Sequence, residues 1–154
     1  MANGQATSGV ETWKPVVGYA GSYEVSDRGR VRSLARTVVY RRRGMVRTMR
    51  VGAKLLRLPR DPNGYPRVNI ARYPHLVHAL VMAAFIGPRP AGADVCHNDG
   101  DPSNNLLQNL RYDTRRGNLA DAVKHGTAPR GERHGQSKFT EADVRSIRKR
   151  LSAG

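Results

Sequence analysis

The chain has 154 residues, with 27 Lys plus Arg against 12 Asp plus Glu and a formal net charge of +15. Such an excess of cations is more than solubility requires and points to a polyanionic partner, held through salt-sensitive contacts to phosphates. The single cysteine excludes an internal disulfide framework and a cysteine-rich structural zinc, and no run of about 18 apolar residues is present to cross a membrane.

In chain order, residues 1–10 are small and polar and are expected to be disordered. From Trp13 to Leu34 short apolar pieces alternate with Gly-bearing turns, which predicts a small antiparallel sheet with Trp13, Tyr19, Tyr23, Val25 and Val31 on its apolar side. Asp27-Arg28-Gly29 supplies a turn, Gly29 taking the positive φ that side chains resist. Arg28, Arg30, Arg32 and Arg36 gather at the far end, followed by Arg41, Arg42 and Arg43. Any one of them reads as part of a solvated face. As a cluster they read as a track for a phosphate backbone, which sets register without reading bases.

Further β-like pieces run over Thr37–Tyr40, Val46–Val51, Leu55–Leu58 and Arg67–Ala71, with breaks at Gly44, Gly52 and Asp61-Pro62-Asn63-Gly64. Leu76 to Ile86 carries an apolar stripe at helical spacing, stopped by Gly87-Pro88. His78 on that helix reads as a hydrogen-bonded core residue. Beyond it come Val95-Cys96-His97-Asn98-Asp99-Gly100-Asp101, then Asn104-Asn105, Gln108-Asn109-Leu110-Arg111-Tyr112, and Asn118.

With Val77-His78-Ala79-Leu80, this series resembles the HNH nuclease motif, its letters falling on His97, Asn109 and Asn118. The nearest resemblance is to the homing-type HNH endonucleases of bacteriophages and their introns. The Trp-Lys, Gly-Tyr, Tyr-Glu-Val-Ser, Gly-Arg-Val and Arg-Ser landmarks between Trp13 and Ser33 are similar to the DNA-contacting module that precedes the nuclease core in that family. The resemblance implies an α+β fold. A basic antiparallel β-module (residues 11–62) precedes a ββα-metal, His-Me finger nuclease core (63–126), a linker (127–137) and a partial helix-turn-helix-like tail (138–154).

It also implies a chemistry. His97 becomes the general base, since an imidazole is largely neutral at cellular pH and can take a proton from water. Asn118, on the first turn of a helix capped by Thr114 and closed by Gly126, becomes a ligand to one divalent ion through its amide oxygen. Mg2+ is the expected ion, with Mn2+ or a softer ion as alternatives and no structural zinc. Asn109 becomes the organiser of the loop. Asp99, Asp101, Asn104 and Asn105 match the turn-forming loop of the family rather than a calcium site.

Cys96 stands where related enzymes carry a hard ligand, and a thiolate suits soft ions, so its assignment to the metal is doubtful. Arg111 is a candidate clamp for the scissile phosphate, or else a surface ion-pair partner. Arg115 and Arg116 oppose the helix dipole at its positive end and so point to a nearby phosphate. In the tail, Thr140 and Asp143 form a capping box and Phe139 and Val144 a staple. The apolar stripe there is Val144, Ile147 and Leu151, with Arg145, Arg148, Lys149 and Arg150 around it.

The expectation is a metal-dependent endonuclease acting on double-stranded DNA in the cytoplasm of a bacterial host, as a monomer or weak dimer and without membrane contact. Its rival is a DNA-binding or phage packaging accessory that keeps the fold and has lost the chemistry. RNA binding is weaker, because no aromatic pair on a sheet surface offers itself for base stacking.

Overall fold

The computed structural model describes residues 9–128 and 138–152. The disorder expected for residues 1–8 and most of the expected linker, residues 129–137, lie outside them. By packing, the chain divides into a unit through Asn118 and a second from Leu119 onward.

The first unit opens with strands β1 (Trp13–Pro15), β2 (Tyr23–Ser26) and β3 (Val31–Ser33). Strands β4 (Arg36–Arg42) and β5 (Met45–Val51) then form an antiparallel ribbon of their own, and β6 (Lys54–Leu55) returns to the sheet edge beside β3. The first sheet is therefore antiparallel in the order β1-β2-β3-β6. The β-like piece expected over Leu55–Leu58 pairs only at its start. Val25 and Val31 face each other across β2 and β3 and are fully buried, as the alternation in that region requires.

Strands β7 (Arg67–Ile70) and β8 (Tyr73–Leu76) make a second hairpin, in which Val68 and Ile70 point inward and Arg67 and Asn69 outward. Helix α1 (Val77–Phe85) follows without a break and ends at Gly87, whose φ of +122° no ordinary side chain adopts easily. It buries Val77, Val81 and Met82. A further hairpin pairs β9 (Ala93–His97) with β10 (Leu110–Thr114), in register from Leu110 opposite His97 to Thr114 opposite Ala93. Its second strand starts at Leu110, after Leu107–Asn109 close a turn of 3-10 helix.

One apolar cluster unites these pieces: Val16 just past β1, Val25 and Val31 from β2 and β3, Val68 and Ile70 from β7, Val77, Val81 and Met82 from α1, and Leu110 from β10. Each fully buried aliphatic side chain contributes about 1.5–3 kcal/mol relative to exposure. The boundary at residue 62 seen in the sequence is thus not a break in packing.

Helix α2 (Arg115–Lys124) begins as expected, the Gly117 amide donating to Thr114 Oγ1 at 3.1 Å, and Gly126 lies past its end at φ +69°. In the second unit α3 (Glu141–Leu151) opens on the capping box: Asp143 N–H donates to Thr140 Oγ1 at 3.2 Å and Thr140 N–H to Asp143 Oδ2 at 2.8 Å. Val144, Ile147 and Leu151 are exposed. Among the described residues no helix is long and apolar enough to cross a membrane.

The sequence reading missed β8. Its turn, Ala71-Arg72, holds both residues at positive φ (49° and 73°), a conformation for which Asn-Gly is the usual signal. Non-glycine residues there cost roughly 1 kcal/mol apiece. Replacing Ala71→Asn together with Arg72→Gly should therefore stabilise the fold by about 1 kcal/mol and raise Tm by several degrees. Thermal unfolding followed by circular dichroism decides this, and an unchanged or lowered Tm would show that the turn carries no such strain.

Candidate active site

The β9–β10 hairpin places His97 at the last residue of a strand, where it is 9% exposed. A buried imidazole needs a partner for each polar nitrogen or loses the free energy of hydrating it. His97 Nε2 lies 3.2 Å from Oδ1 of Asn105, itself 5% exposed. Asn105 was read in the sequence as a turn former; the structure makes it the hydrogen-bond partner of the expected base.

Asn109 bridges opposite sides of the loop. Its side-chain amide donates to Asp99 Oδ1 and to the Asn104 carbonyl, each at 2.9 Å, and its Oδ1 accepts the Asp99 N–H at 3.2 Å. The Asn109 carbonyl accepts from the Asn98 amide at 2.9 Å, so the backbone leaving His97 is tied directly to it. Burial by itself raises the Asp99 carboxyl. Hydrogen bonds from Asn109, the Asp101 backbone and Asn104 outweigh this and hold it below the ordinary carboxylate range. The loop is therefore kept closed by an ionised aspartate bonded to two asparagines, in agreement with a turn-forming role for Asp99 and Asn104.

Beside the hairpin lies a cleft of about 560 Å³, lined by residues that include Tyr65, His78, Arg89, Asp94, Tyr112 and Asn118. Asn118 projects from the first turn of α2 and is exposed. Gly117 before it permits the Asp113 carboxylate to sit against the helix start, for a Cβ at that position would lie 2.4 Å from Asp113 Oδ1. His97 is not part of the cleft lining. It packs edge-on against His78, ring centroids 5.2 Å apart, and both rings meet Tyr65, at 5.3 and 5.9 Å.

His78 therefore belongs to the site, not merely to the core as the helical pattern suggested. It is 7% exposed and its Nδ1 has no hydrogen-bond partner. Burial chiefly, and the neighbouring His97 next, lower its pKa from 6.5 to about 4, against a smaller opposing pull from Asp61. It is a neutral imidazole at neutral pH.

Cys96 is 2% exposed on β9 and does not line the cleft. Among the described residues no three His, Cys, Asp or Glu side chains converge as a metal-binding set. The oxygen-bearing side chains that line the cleft, Asn118 and Asp94 among them, are of the hard-donor type that suits a divalent ion taking most of its shell from phosphate and water.

The arginines divide. Arg32 pairs with Glu24 at 2.6 Å and lies 4.1 Å over the Trp13 ring, and Arg30 pairs with Glu11 against the same ring. Arg36 donates to the Ser22 and Leu34 carbonyls at 3.1 and 3.2 Å and covers Tyr23. Arg28 donates to the Gly9 carbonyl, and Arg111 engages Asn98 and, at 3.0 Å, Asp113. Arg41, Arg42 and Arg43 sit exposed at the tip of the β4–β5 ribbon, joined along it by Arg47 and Arg50, which the sequence reading passed over. Arg115 and Arg116 are exposed at the start of α2, and Arg145, Arg148 and Lys149 on α3.

A β-hairpin with its histidine at the strand end, followed by a helix that presents an asparagine, is the ββα nuclease arrangement. The comparisons with known proteins agree: residues 75–120 match the HNH endonuclease family and residues 11–71 the NUMOD4 motif. The chain is 30% identical over 119 residues to DNA endonuclease I-HmuI of Bacillus phage SP01, covering 75% of this chain and 59% of that protein. It is 33% identical over 113 residues to the SPbeta prophage-derived protein YosQ of Bacillus subtilis (strain 168), assigned to the HNH homing endonucleases, covering 66% and 65%. A solved structure of DNA binding and cleavage by I-HmuI superposes with a TM-score of 0.59 at 27% identity, covering 92% of this chain and 68% of that one. The chain thus spans under two thirds of the length of these curated relatives. It belongs to the homing-type HNH endonuclease family, with a NUMOD4 motif ahead of an HNH domain.

The neutral state of His78 predicts a pH dependence. Between pH 6.5 and about 4 the unfolded chain binds a proton at this residue and the native protein does not. Stability therefore falls as pH drops through that window, by on the order of 3 kcal/mol, and this contribution levels off below it. Urea unfolding at pH 7 and pH 4.5 should show a smaller loss in His78→Phe than in wild type. Equal losses would place the proton elsewhere.

Proposed function

We propose that this chain is a divalent-metal-dependent endonuclease that hydrolyses DNA phosphodiester bonds. The observation that carries the reading is the succession of a buried, hydrogen-bonded His97 at the end of β9 and Asn118 on the first turn of α2, in a chain akin to a phage DNA endonuclease. His97 takes a proton from water as the oxygen attacks phosphorus. The new P–O bond replaces the bond to the 3′ oxygen, which leaves with its electron pair and is protonated, giving 5′-phosphate and 3′-hydroxyl ends. Asn109 keeps the loop closed so that His97 stays at its station, and Asn118 offers its amide oxygen to the ion.

HNH family nucleases are divalent-metal dependent. We take Mg2+ as the ion, which when bound supplies positive charge to the transition state and the leaving oxygen. Cys96, buried away from the cleft, is not assigned to it. One nuclease core holds one set of these residues, so a monomer nicks one strand, in the cytoplasm of the host cell.

For DNA contact we favour the β4–β5 ribbon with Arg41, Arg42 and Arg43, together with Arg115 and Arg116 beside the site and Arg145, Arg148 and Lys149 on α3. Arg28, Arg30, Arg32, Arg36 and Arg111 already have protein acceptors and serve DNA binding mainly by shaping the surface. Converting Arg41, Arg42 and Arg43 to Gln should reduce the slope of log K against log salt by up to about 3. Filter binding from low to physiological salt measures it, and an unchanged slope removes the ribbon from the interface.

The reaction is tested with supercoiled plasmid, comparing magnesium, manganese and zinc with chelator. Metal-dependent nicking should fall by roughly 10²–10⁴ in His97→Ala, and should fall in Asn118→Ala with DNA binding retained. A second reading, a DNA-binding or packaging accessory without catalysis, is favoured by one observation: Cys96 stands in place of a hard ligand and is buried. Salt-sensitive binding with no cleavage under any ion would establish that reading instead.

A further inference from the structure

We propose that Asn105 is the positioning residue for His97, and that the NUMOD4 turn at residues 27–29 holds Asn105 in place, so that the module preceding the nuclease core is a structural part of the active site. The inference deepens the endonuclease reading, on which the role of His97 as base rests.

The Asn105 side chain orients the imidazole by elimination. Its Nδ2 is directed to the Ser103 carbonyl at 3.5 Å, which leaves Oδ1 facing His97 Nε2 at 3.2 Å. An amide oxygen only accepts, so Nε2 carries the proton and Nδ1 keeps the lone pair that takes a proton from water. With the opposite tautomer the ring would set a lone pair against a lone pair at a buried contact.

Asn105 in turn is braced from outside the nuclease core. A Cβ added at Gly29 would lie 2.6 Å from Asn105 Cβ and 3.0 Å from its carbonyl oxygen, so the turn backbone rests directly on this residue and leaves no room for a side chain. The turn is rigid in its own right. Buried Ser26 accepts the Arg28 and Arg30 amides on its Oγ at 3.3 and 3.0 Å, and its carbonyl accepts the Gly29 amide at 3.1 Å. A second bond fixes the loop to the turn two residues further on, the Leu107 amide donating to the Asp27 carbonyl at 2.8 Å. A shift of this turn therefore moves the group that selects the tautomer of His97.

The test uses the full 15N-labelled chain without metal at neutral pH, reading the imidazole nitrogens by long-range 1H–15N correlation. Wild type should show His97 protonated at Nε2 and bare at Nδ1. Asn105→Asp keeps an acceptor and should keep that tautomer, whereas Asn105→Leu should give a mixture. Gly29→Ala is compared with Gly21→Ala, which has nearly the same φ, +73° against +72°, but nothing within 4 Å of the new Cβ.

Gly29→Ala should mix the tautomers and lower kcat for plasmid nicking at least about tenfold with DNA affinity within about twofold, while Gly21→Ala leaves both as in wild type. A wild-type His97 protonated at Nδ1 overturns the proposal without recourse to any variant. So does an unaltered tautomer in Asn105→Leu, or identical behaviour of the two alanine variants. If the tautomers respond as expected and the wild type cuts no DNA, the positioning stands and the endonuclease reading falls.

Discussion

A segment that leaves one strand at His97 and rejoins its partner at Leu110 has no ladder of its own, and its backbone polar groups have to be satisfied by local turns, by other segments and by side chains. Asn109 meets much of that need, because an amide side chain donates and accepts at once: it reaches Asp99 and Asn104 on the far side of the loop while its backbone carbonyl holds Asn98. An aspartate here would lose the donors and an alanine would lose both. Everything that makes the site depends on this closure, since Asn105 can face His97 only if the loop between them returns along one path. The middle letter of the motif is in this sense a statement about backbone accounting and not about substrate.

The absence of a disulfide framework raises the question of what holds so small a site rigid. The answer in this structure is a shared core. Val25 and Val31 of the NUMOD4 motif and Val77, Val81 and Met82 of the HNH domain belong to one apolar cluster, and Leu110 joins it from the strand that follows the catalytic loop. Two segments that sequence families treat as separate modules thus complete each other. Segments this short bury only a modest share of their surface by themselves, and the shared cluster adds to what each can bury. The polar contacts of the Asp27 carbonyl with Leu107 and of Gly29 with Asn105 extend the same union to the rim of the site.

Much of this was legible in the residues, and what was not has a physical reason. His97, Asn109 and Asn118 could be picked out because the series that holds them resembles the HNH motif, and the caps at Thr114 and Thr140 because they are local. The strand β8 was hidden because its turn is built from Ala71 and Arg72, which do not advertise positive φ. His78 was read as core because helical periodicity records only which face is buried, not that the buried face meets another imidazole across the fold. Gly29 was correctly seen as a turn residue. Its second constraint, contact with Asn105, joins positions far apart in the chain and leaves no trace in local pattern.

The positive charge shows the same division between what composition tells and what geometry adds. Arg30, Arg32 and Arg36 lie on the faces of Trp13 and Tyr23 and use their guanidinium hydrogens within the protein, so much of their charge is compensated where it stands. Among the described residues no ion pair involves Arg41, Arg42, Arg43, Arg47 or Arg50, which crowd onto one exposed two-stranded ribbon. A ribbon of that size is marginal alone. Placing like charges along it costs stability further, and among the described residues no carboxylate is paired with them. A phosphate backbone lying along the ribbon would supply the missing counter-charge and order its strands in the same step. On the DNA-binding reading, the excess cations are thus concentrated where the free protein gains least from them and the complex gains most.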